Sequence, residues 1–307
     1  MKLYFLGTGG SWPTKERSPL AIAASFGSWT ILMDCGEGAQ RQMMTTSVSP
    51  MKIDLVLITH LHGDHFLGFP GLVQSMSLNG RERPLLLAGP KGIATSWKKA
   101  LSMCYFNPRF DVEVLEMLPG DEISFRDHRI RCIEADHSVP TLSYRIDEPP
   151  RRGKFDRQGA LDLGIPEGPL WGQLQNGRPV TIDTESGEKT VIPDQVMGPR
   201  RPGLSLVYSG DTAPFPEMVE FAMGCDVLIH EATYSDRFSE NAMSYKHSTA
   251  SGAARIAKEA VVRHLFLVHT SPRYTDEDLF REMVEEAREV FPGAEFPSDG
   301  DFREITH

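Results

Sequence analysis

Apolar residues fall in short continuous runs, separated by stretches where they recur every three or four positions. Leu3-Tyr4-Phe5-Leu6 reads as a first strand that stops at Gly7, and residues 29–33 read as another that runs into Asp34-Cys35-Gly36. Residues 53–58 (Ile-Asp-Leu-Val-Leu-Ile) are nearly all apolar, the pattern of a strand covered on both faces. Further strands are expected at 84–88, 112–117, 130–135, 142–146, 204–208, 226–229 and 264–268. Helical spacing is found at 66–79, 92–104, 216–222, 249–260 and 276–290. The last has Thr275 placed to cap it and Asp278 at its third position. Strand and helix alternate, which predicts an α/β fold with sheets covered by helices. No solenoid repeat or low-complexity tract interrupts it.

One segment breaks the rhythm. Residues 147–203 hold 17 Gly or Pro in 57 positions, against 32 in the other 250. It opens on a basic cluster, Arg151-Arg152-Gly153-Lys154-Phe155-Asp156-Arg157, and continues through Gly168-Pro169-Leu170-Trp171. A structureless loop of that length is uncommon inside a compact body. Phe155, Leu161, Ile165, Leu170 and Trp171 also argue against disorder. A protruding arm inserted into one large domain, residues 1–307, is expected.

Composition narrows the class. With 40% hydrophobic and 24% charged residues in 307, the chain is of ordinary globular type. No apolar run reaches the roughly 18 residues that span a bilayer, and the apolar stretch near Met1 is too brief for a signal peptide. A cytoplasmic protein with no membrane partner is expected. Cys35, Cys104, Cys132 and Cys225 form no CxxC pair and are expected to be reduced thiols. The 32 Lys+Arg against 42 Asp+Glu give a net charge of -10, so any nucleic acid must be held by a local basic patch.

The densest chemistry is His60-Leu61-His62-Gly63-Asp64-His65, directly after the apolar strand at 53–58. Three imidazoles and a carboxylate in six residues would repel or stay unpaired without a cation among them. Imidazole with carboxylate suits zinc, and manganese or iron less well. One loop cannot complete two coordination shells. His137, Asp211 and His269 each follow a strand-like run and are the candidates to complete them.

His60 to His65 match in full the HxHxDH motif, and the pattern resembles the metallo-β-lactamase superfamily. The resemblance implies a four-layer αβ/βα sandwich with two Zn2+ per subunit, Mn2+ being acceptable. It implies that His60, His62 and His137 hold one ion, that Asp64, His65 and His269 hold the other, and that Asp211 bridges them. Two such ions about 3.5–4 Å apart generate a hydroxide nucleophile near neutral pH and clamp the oxygens of a phosphoryl group.

Further motifs resemble the RNase Z branch, endonucleases that mature tRNA 3′ ends. They are His137-Ser138-Val139-Pro140-Thr141, Gly210-Asp211-Thr212, His247-Ser248-Thr249-Ala250 before a helix, and His269-Thr270-Ser271-Pro272-Arg273-Tyr274. By this resemblance His247 is the acid that protonates the leaving 3′ oxygen, and Asp64 is both ligand and proton acceptor. Gly168 and Pro169 mark the tRNA-gripping arm, with Arg151, Arg152, Lys154 and Arg157 as its cations. The substrate implied is a tRNA precursor, and the assembly a homodimer. Pro13-Thr14-Lys15-Glu16-Arg17-Ser18 resembles the family's PxKxRN loop, with Ser18 in place of Asn, and puts Lys15 and Arg17 near the cleavage site. Glu231 sits at a strand end, where it can orient His247, cap a helix or lie at the surface. Arg273 and Tyr274 either touch RNA or brace the His269 loop. His128, His264 and His307 fit no motif. A small-molecule phosphodiesterase or other hydrolase on the same fold would explain the seven ligands, but not the arm, His247 and the Pro13 loop together.

Overall fold

The computed structural model describes residues 1–103, 105–184 and 187–306; Cys104 and His307 therefore lie outside the described residues. The chain divides into two compact units, one of Met1–Asp147 with Leu204–His307, the other Glu148–Gly203.

The larger unit opens with β1 (Lys2–Gly7), β2 (Ala21–Phe26) and β3 (Trp29–Met33). The short helix α1 (Ala39–Met43) leads to β4 (Ile53–Leu57), and α2 (Gly63–Phe66) and α3 (Gly68–Leu78) lead to β5 (Leu85–Pro90). Then come α4 (Ile93–Ser102), β6 (Val112–Met117), β7 (Glu122–Phe125), β8 (His128–Glu134) and β9 (Leu142–Asp147). The smaller unit holds α5 (Arg157–Asp162), α6 (Pro169–Gln175) and an antiparallel hairpin of β10 (Val180–Thr184) and β11 (Gly187–Val191). After it the larger unit resumes with β12 (Ser205–Tyr208), α7 (Pro216–Ala222), β13 (Val227–Glu231), α8 (Ser239–Tyr245), α9 (Ala250–Glu259), β14 (His264–Val268) and α10 (Glu277–Val290). Two short strands close it, β15 (Ala294–Glu295) and β16 (Phe302–Glu304).

The larger unit has two seven-stranded sheets, ordered β16-β1-β2-β3-β4-β5-β6 and β15-β14-β13-β12-β9-β8-β7. In each, three antiparallel pairings give way to three parallel ones, β3-β4-β5-β6 and β12-β13-β14-β15. Side chains that alternate along a strand point to opposite faces. On β4, Leu55 and Leu57 join Phe5, Tyr144, Leu206 and Phe266 between the sheets. Ile53 and Val56 of the same strand pack outward with residues of α1, α3 and α4. On the second sheet Val207, Leu228 and Leu265 face outward under α7, α9 and α10. The expected α/β sandwich, helix–sheet–sheet–helix, is therefore present. It buries β4 on both sides, which is why that strand's sequence has no polar face.

Cys35, Cys132 and Cys225 are free and buried, and no helix among the described residues is long and apolar enough to cross a membrane. The smaller unit has its own apolar cluster, with Ala160, Ile165, Trp171, Leu174 and Val191 at its centre. The Trp171 indole N–H donates to Ile165 O at 3.0 Å.

The start of α10 differs from expectation by one residue. The cap is Asp276, which accepts from the Asp278 and Leu279 amides at 3.0 and 3.1 Å; Thr275 Oγ1 instead donates to Pro272 O. Asp276→Ala should therefore cost about 0.5–2 kcal/mol of stability in equilibrium denaturant unfolding, whereas Thr275→Ala should stay within about 0.5 kcal/mol.

Candidate metal centre

The functional side chains gather where strands end. Asp34 follows β3 directly and His269 follows β14 directly. His60 stands three residues past β4, His137 three past β8 and Asp211 three past β12. Asp64 and His65 lie on α2, and Glu231 is the last residue of β13. The carboxyl ends of β3, β4, β8, β12, β13 and β14 thus form the rim on which the site is built.

Donor atoms of His60, His62, His137 and Asp211 lie within 4.8 Å of one another, as do those of Asp64, His65 and His269. In the first group His60 Nε2 is 3.0 Å from His62 Nδ1 and 3.7 Å from Asp211 Oδ2. His137 Nε2 is 3.5 Å from His62 Nδ1. In the second, Asp64 Oδ2 is 3.6 Å from His65 Nε2 and 3.4 Å from His269 Nε2. Asp211 joins the two groups, with Oδ1 3.4 Å from His65 Nε2 and Oδ2 3.3 Å from His269 Nε2. Tetrahedral ligands at roughly 2.0–2.1 Å from a metal stand about 3.3–3.5 Å apart, close to the spacing seen. His65 Nε2 and Asp211 Oδ1 are buried without a hydrogen-bond partner, a costly state unless a cation lies among them. The seven residues thus fit a pair of divalent ions.

Hydrogen bonds fix which ring nitrogen faces the centre. His65 Nδ1 donates to Asp34 Oδ2 at 2.8 Å. Thr59 Oγ1 donates to Asp34 at 2.9 Å and accepts from His60 Nδ1 at 3.0 Å. His137 Nδ1 donates to Lys246 O at 3.1 Å. Thr233 Oγ1 donates to Glu231 Oε2 at 2.7 Å, since a carboxylate only accepts, and takes the His269 Nδ1 proton at 2.8 Å. With each Nδ1 engaged as a donor, each Nε2 keeps its lone pair for a metal. His62 alone presents Nδ1 to the cluster.

Asp34, Thr59, Tyr208 and Thr233 carry this orientation and were not singled out from sequence. The available signal was positional: Asp34 is a lone acid at the end of an apolar strand, as His60 nearly is. Backbone geometry is also specialised. Asp34 and His269 have φ of 52° and 62°, in the left-handed region that non-glycine residues seldom occupy. A Cβ on Gly10 would lie 2.5 Å from the His269 ring, so only glycine lets that loop approach.

Burial pushes the pKa of His60 well down, aided by the His65 charge, and burial also lowers His62 and His137. For His65, burial is overridden by Asp211 and Asp34, and its pKa rises well above the usual histidine range. Burial would raise Asp211 and Asp64. For Asp211 the charges of His269 and His65 hold the carboxyl well below its usual range, and for Asp64 the His269 hydrogen bond and the His65 charge do the same. A proton on His65 occupies the position a cation would take, so metal loading competes with protonation.

His247 stands beside this cluster, its ring centroid 5.1 Å from that of His137 and 5.4 Å from that of His269. Its Nδ1 donates to Glu231 Oε1 at 2.7 Å, so Glu231 orients His247. Burial would lower the His247 pKa, but the Glu231 carboxylate reverses this and brings it to about 9.

The remaining sequence candidates divide. Lys15 is exposed. Arg17 is turned inward: Nη1 donates to Thr8 Oγ1 and to Pro297 O at 2.9 Å, and its guanidinium lies 5.1 Å from the Phe280 ring. Arg273 is exposed and stacks on Tyr234 and Phe238. The Tyr274 hydroxyl accepts the Ser235 amide and braces the His269 loop. In the smaller unit Lys154 and Arg157 are exposed. Arg151 pairs with Glu148 at 3.0 Å, and Arg152 donates to Gln175 O and Asn176 Oδ1. Gly168 and Pro169 begin α6 and are exposed. Arg200 and Arg201, not anticipated, add to this basic cluster, with Arg201 bridged to Arg151.

Residues 1–146 match a family described as anti-Pycsar protein Apyc1, and residues 178–270 match the beta-lactamase superfamily domain. A Ribonuclease Z of Methanosarcina acetivorans is 42% identical over 95% of this chain and 93% of its own length. A Ribonuclease Z of Haloferax volcanii is 39% identical over 100% and 96%. The human tRNase Z short form has the same fold, with a TM-score of 0.72 at 22% identity over the full length of both chains. So does the metallo-beta-lactamase fold protein YhfI of Bacillus subtilis, at TM-score 0.70 and 18% identity over 99% of each.

The Glu231–His247 contact has a measurable signature in the metal-free protein. A histidine raised from 6.5 to about 9 contributes stability that is complete below pH 6.5 and is lost as pH rises through about 9. The His247 ring resonances should titrate near pH 9 by NMR, and Glu231→Gln should move that midpoint down toward 6.5. A wild-type midpoint at 6.5 would contradict the contact.

Proposed function

This chain belongs to the ribonuclease Z family, being 42% identical to a member across nearly all of both chains, and from that premise we infer that it is a hydrolytic endoribonuclease that removes the 3′ trailer from tRNA precursors. It cuts after the discriminator nucleotide, leaving a 3′-hydroxyl on the tRNA and a 5′-phosphate on the trailer. The observation that carries the reading is the juxtaposition of a seven-donor cage with a Glu231-held His247 at its edge.

His60, His62 and His137 would hold one Zn2+, Asp64, His65 and His269 a second, and Asp211 both; Mn2+ suits the same donors. Divalent ions there supply Lewis acidity, activating water and neutralising charge on the phosphoryl oxygens. His247 is the general acid. With Nδ1 committed to Glu231, Nε2 is the nitrogen that gives its proton to the departing 3′ oxygen. The carboxylate favours the protonated form of that imidazole, the form that can give a proton when the bond breaks. Asp64 takes the Ser11 amide on Oδ2 at 2.7 Å, and its Oδ1 is the oxygen assigned to receive the proton of the attacking water.

Substrate grip is assigned to exposed cations. Lys15 lies four residues past Ser11, whose amide binds Asp64, and Arg273 four past His269. Lys154 and Arg157, with Arg151 and Arg152, belong to the 147–203 insertion, whose Gly168-Pro169 turn is part of the same tRNA-binding arm. Residues 148–203 have eight Lys+Arg and eight Asp+Glu in sequence, so the net charge of -10 sits on the rest of the chain. A basic cluster on a neutral unit can hold RNA phosphates that an acidic body would repel. Arg17, whose Nη1 is committed to Thr8 Oγ1 and Pro297 O, holds its loop in place. A cytoplasmic homodimer completes the reading, on the family resemblance.

The test is incubation with a 3′-extended tRNA precursor and Zn2+ or Mn2+, with product ends mapped. The wild type should give the 3′-hydroxyl and 5′-phosphate, and His247→Ala should keep its metal while losing roughly 10²–10⁴ in rate. A 2′,3′-cyclic phosphate would show that the RNA's own hydroxyl attacks, and would contradict the reading.

A further inference from the structure

Of the four tryptophans, Trp29, Trp97 and Trp171 are buried, at 7% exposure or less, whereas Trp12 is 63% exposed. An isolated exposed tryptophan on a fixed loop beside a reaction centre calls for a partner. The loop is fixed at both ends. The amide of Ser11, the preceding residue, donates to Asp64 Oδ2 at 2.7 Å, and Gly10 lies against the His269 ring. Beyond Trp12, Thr14 Oγ1 accepts the Arg17 amide at 3.0 Å, and the Ser18 amide donates to Asp299 Oδ2 at 2.6 Å. Gln42 Nε2 adds bonds to Ser18 Oγ and to Asp299. Two residues of the centre and the half-buried Asp299 therefore hold the backbone from which Trp12 projects.

Trp12 forms one wall of a cleft of about 260 Å³, whose other walls include Thr14, Arg17, Thr270, Ser271 and Phe280. Sites for drug-sized ligands usually run to about 300–1,000 Å³, so this one suits a single planar ring. Thr270 follows the ligand His269, and the cleft therefore adjoins the centre along the chain as well as in space. Lys15, three residues beyond Trp12, is exposed and can meet a phosphate of the same strand. An indole face, a ring-sized cleft and a nearby cation are the parts by which proteins hold an unpaired base.

We propose that Trp12 is a stacking platform for an unpaired nucleobase adjoining the scissile phosphate of the RNA substrate. The proposal rests on the ribonuclease reading and adds to it a specificity-determining contact. By holding a base beside the centre, Trp12 sets which phosphate reaches the ions, so it acts on binding and on the position of the cut.

The test is a cycle of protein and substrate variants, using tRNA precursor intact or abasic at either nucleotide flanking the cut. On intact precursor Trp12→Ala should raise KM roughly 5- to 150-fold, with Trp12→Phe recovering most of it. An abasic residue at one flanking position should cost the wild type a similar factor, and Trp12→Ala should then add nothing further. Penalties that multiply at both positions, or wild-type KM for Trp12→Ala on intact precursor, would overturn the proposal. A wild type that fails to cut the precursor at all would instead overturn the ribonuclease reading. Quenching of tryptophan fluorescence by the precursor, lost in Trp12→Phe, decides the stacking independently of cleavage, and its absence from the wild type counts against it.

Discussion

The buried Asp34 carboxylate is the interaction on which the site depends. It accepts from the Thr59 amide at 2.7 Å, the Thr59 hydroxyl at 2.9 Å, the Tyr208 hydroxyl at 2.7 Å and His65 Nδ1 at 2.8 Å. Those donors come from both sheets, because Tyr208 ends β12 while Thr59 follows β4. One carboxylate therefore ties the two halves of the sandwich together beneath the metal centre. It also sets the tautomer of His65 directly and of His60 through Thr59. The left-handed backbone at Asp34 costs of order 1–2 kcal/mol, and the four hydrogen bonds offset it.

A second polar group does the corresponding work on the other sheet. Glu231, at the end of β13, binds His247 with one oxygen and Thr233 with the other, and Thr233 sets His269. The same carboxylate thus serves both His269 and His247. The orientation of His269 and the position and charge of His247 are coupled through buried groups, Glu231 also accepting the Thr212 and Thr233 amides. In such surroundings an unpaired polar atom is expensive, which keeps the arrangement single and ready before substrate or metal arrives.

The sequence carried the clustered histidine and aspartate donors better than the groups that support them. His60 to His65 are legible because four donors lie in six residues, and His137, Asp211 and His269 because each follows an apolar run. The alternation of runs and periodic stretches was enough for an α/β fold with helix-covered sheets, since β4 and β13 are covered on both faces, while the four-layer sandwich came from the family resemblance. Asp34 was not legible. Its partners are 25, 31 and 174 residues away and meet only once the two sheets pack. Arg17 was expected to face RNA, but Pro297 and Phe280, brought in by the C-terminal stretch, take its guanidinium inward. The strands β15 and β16, of two and three residues, are too short to leave a periodic trace. In residues 147–203 frequent Gly and Pro mask the periods of α5, α6 and the β10–β11 hairpin.

Convergence of seven side chains on two divalent ions is the central claim, and metal stoichiometry tests it most directly. Native mass spectrometry of protein stripped with chelator and reloaded with Zn2+ should show two ions per chain, and no more than one in Asp211→Ala. A wild type that takes up no ion, or an Asp211→Ala protein that retains both, would contradict the shared cage.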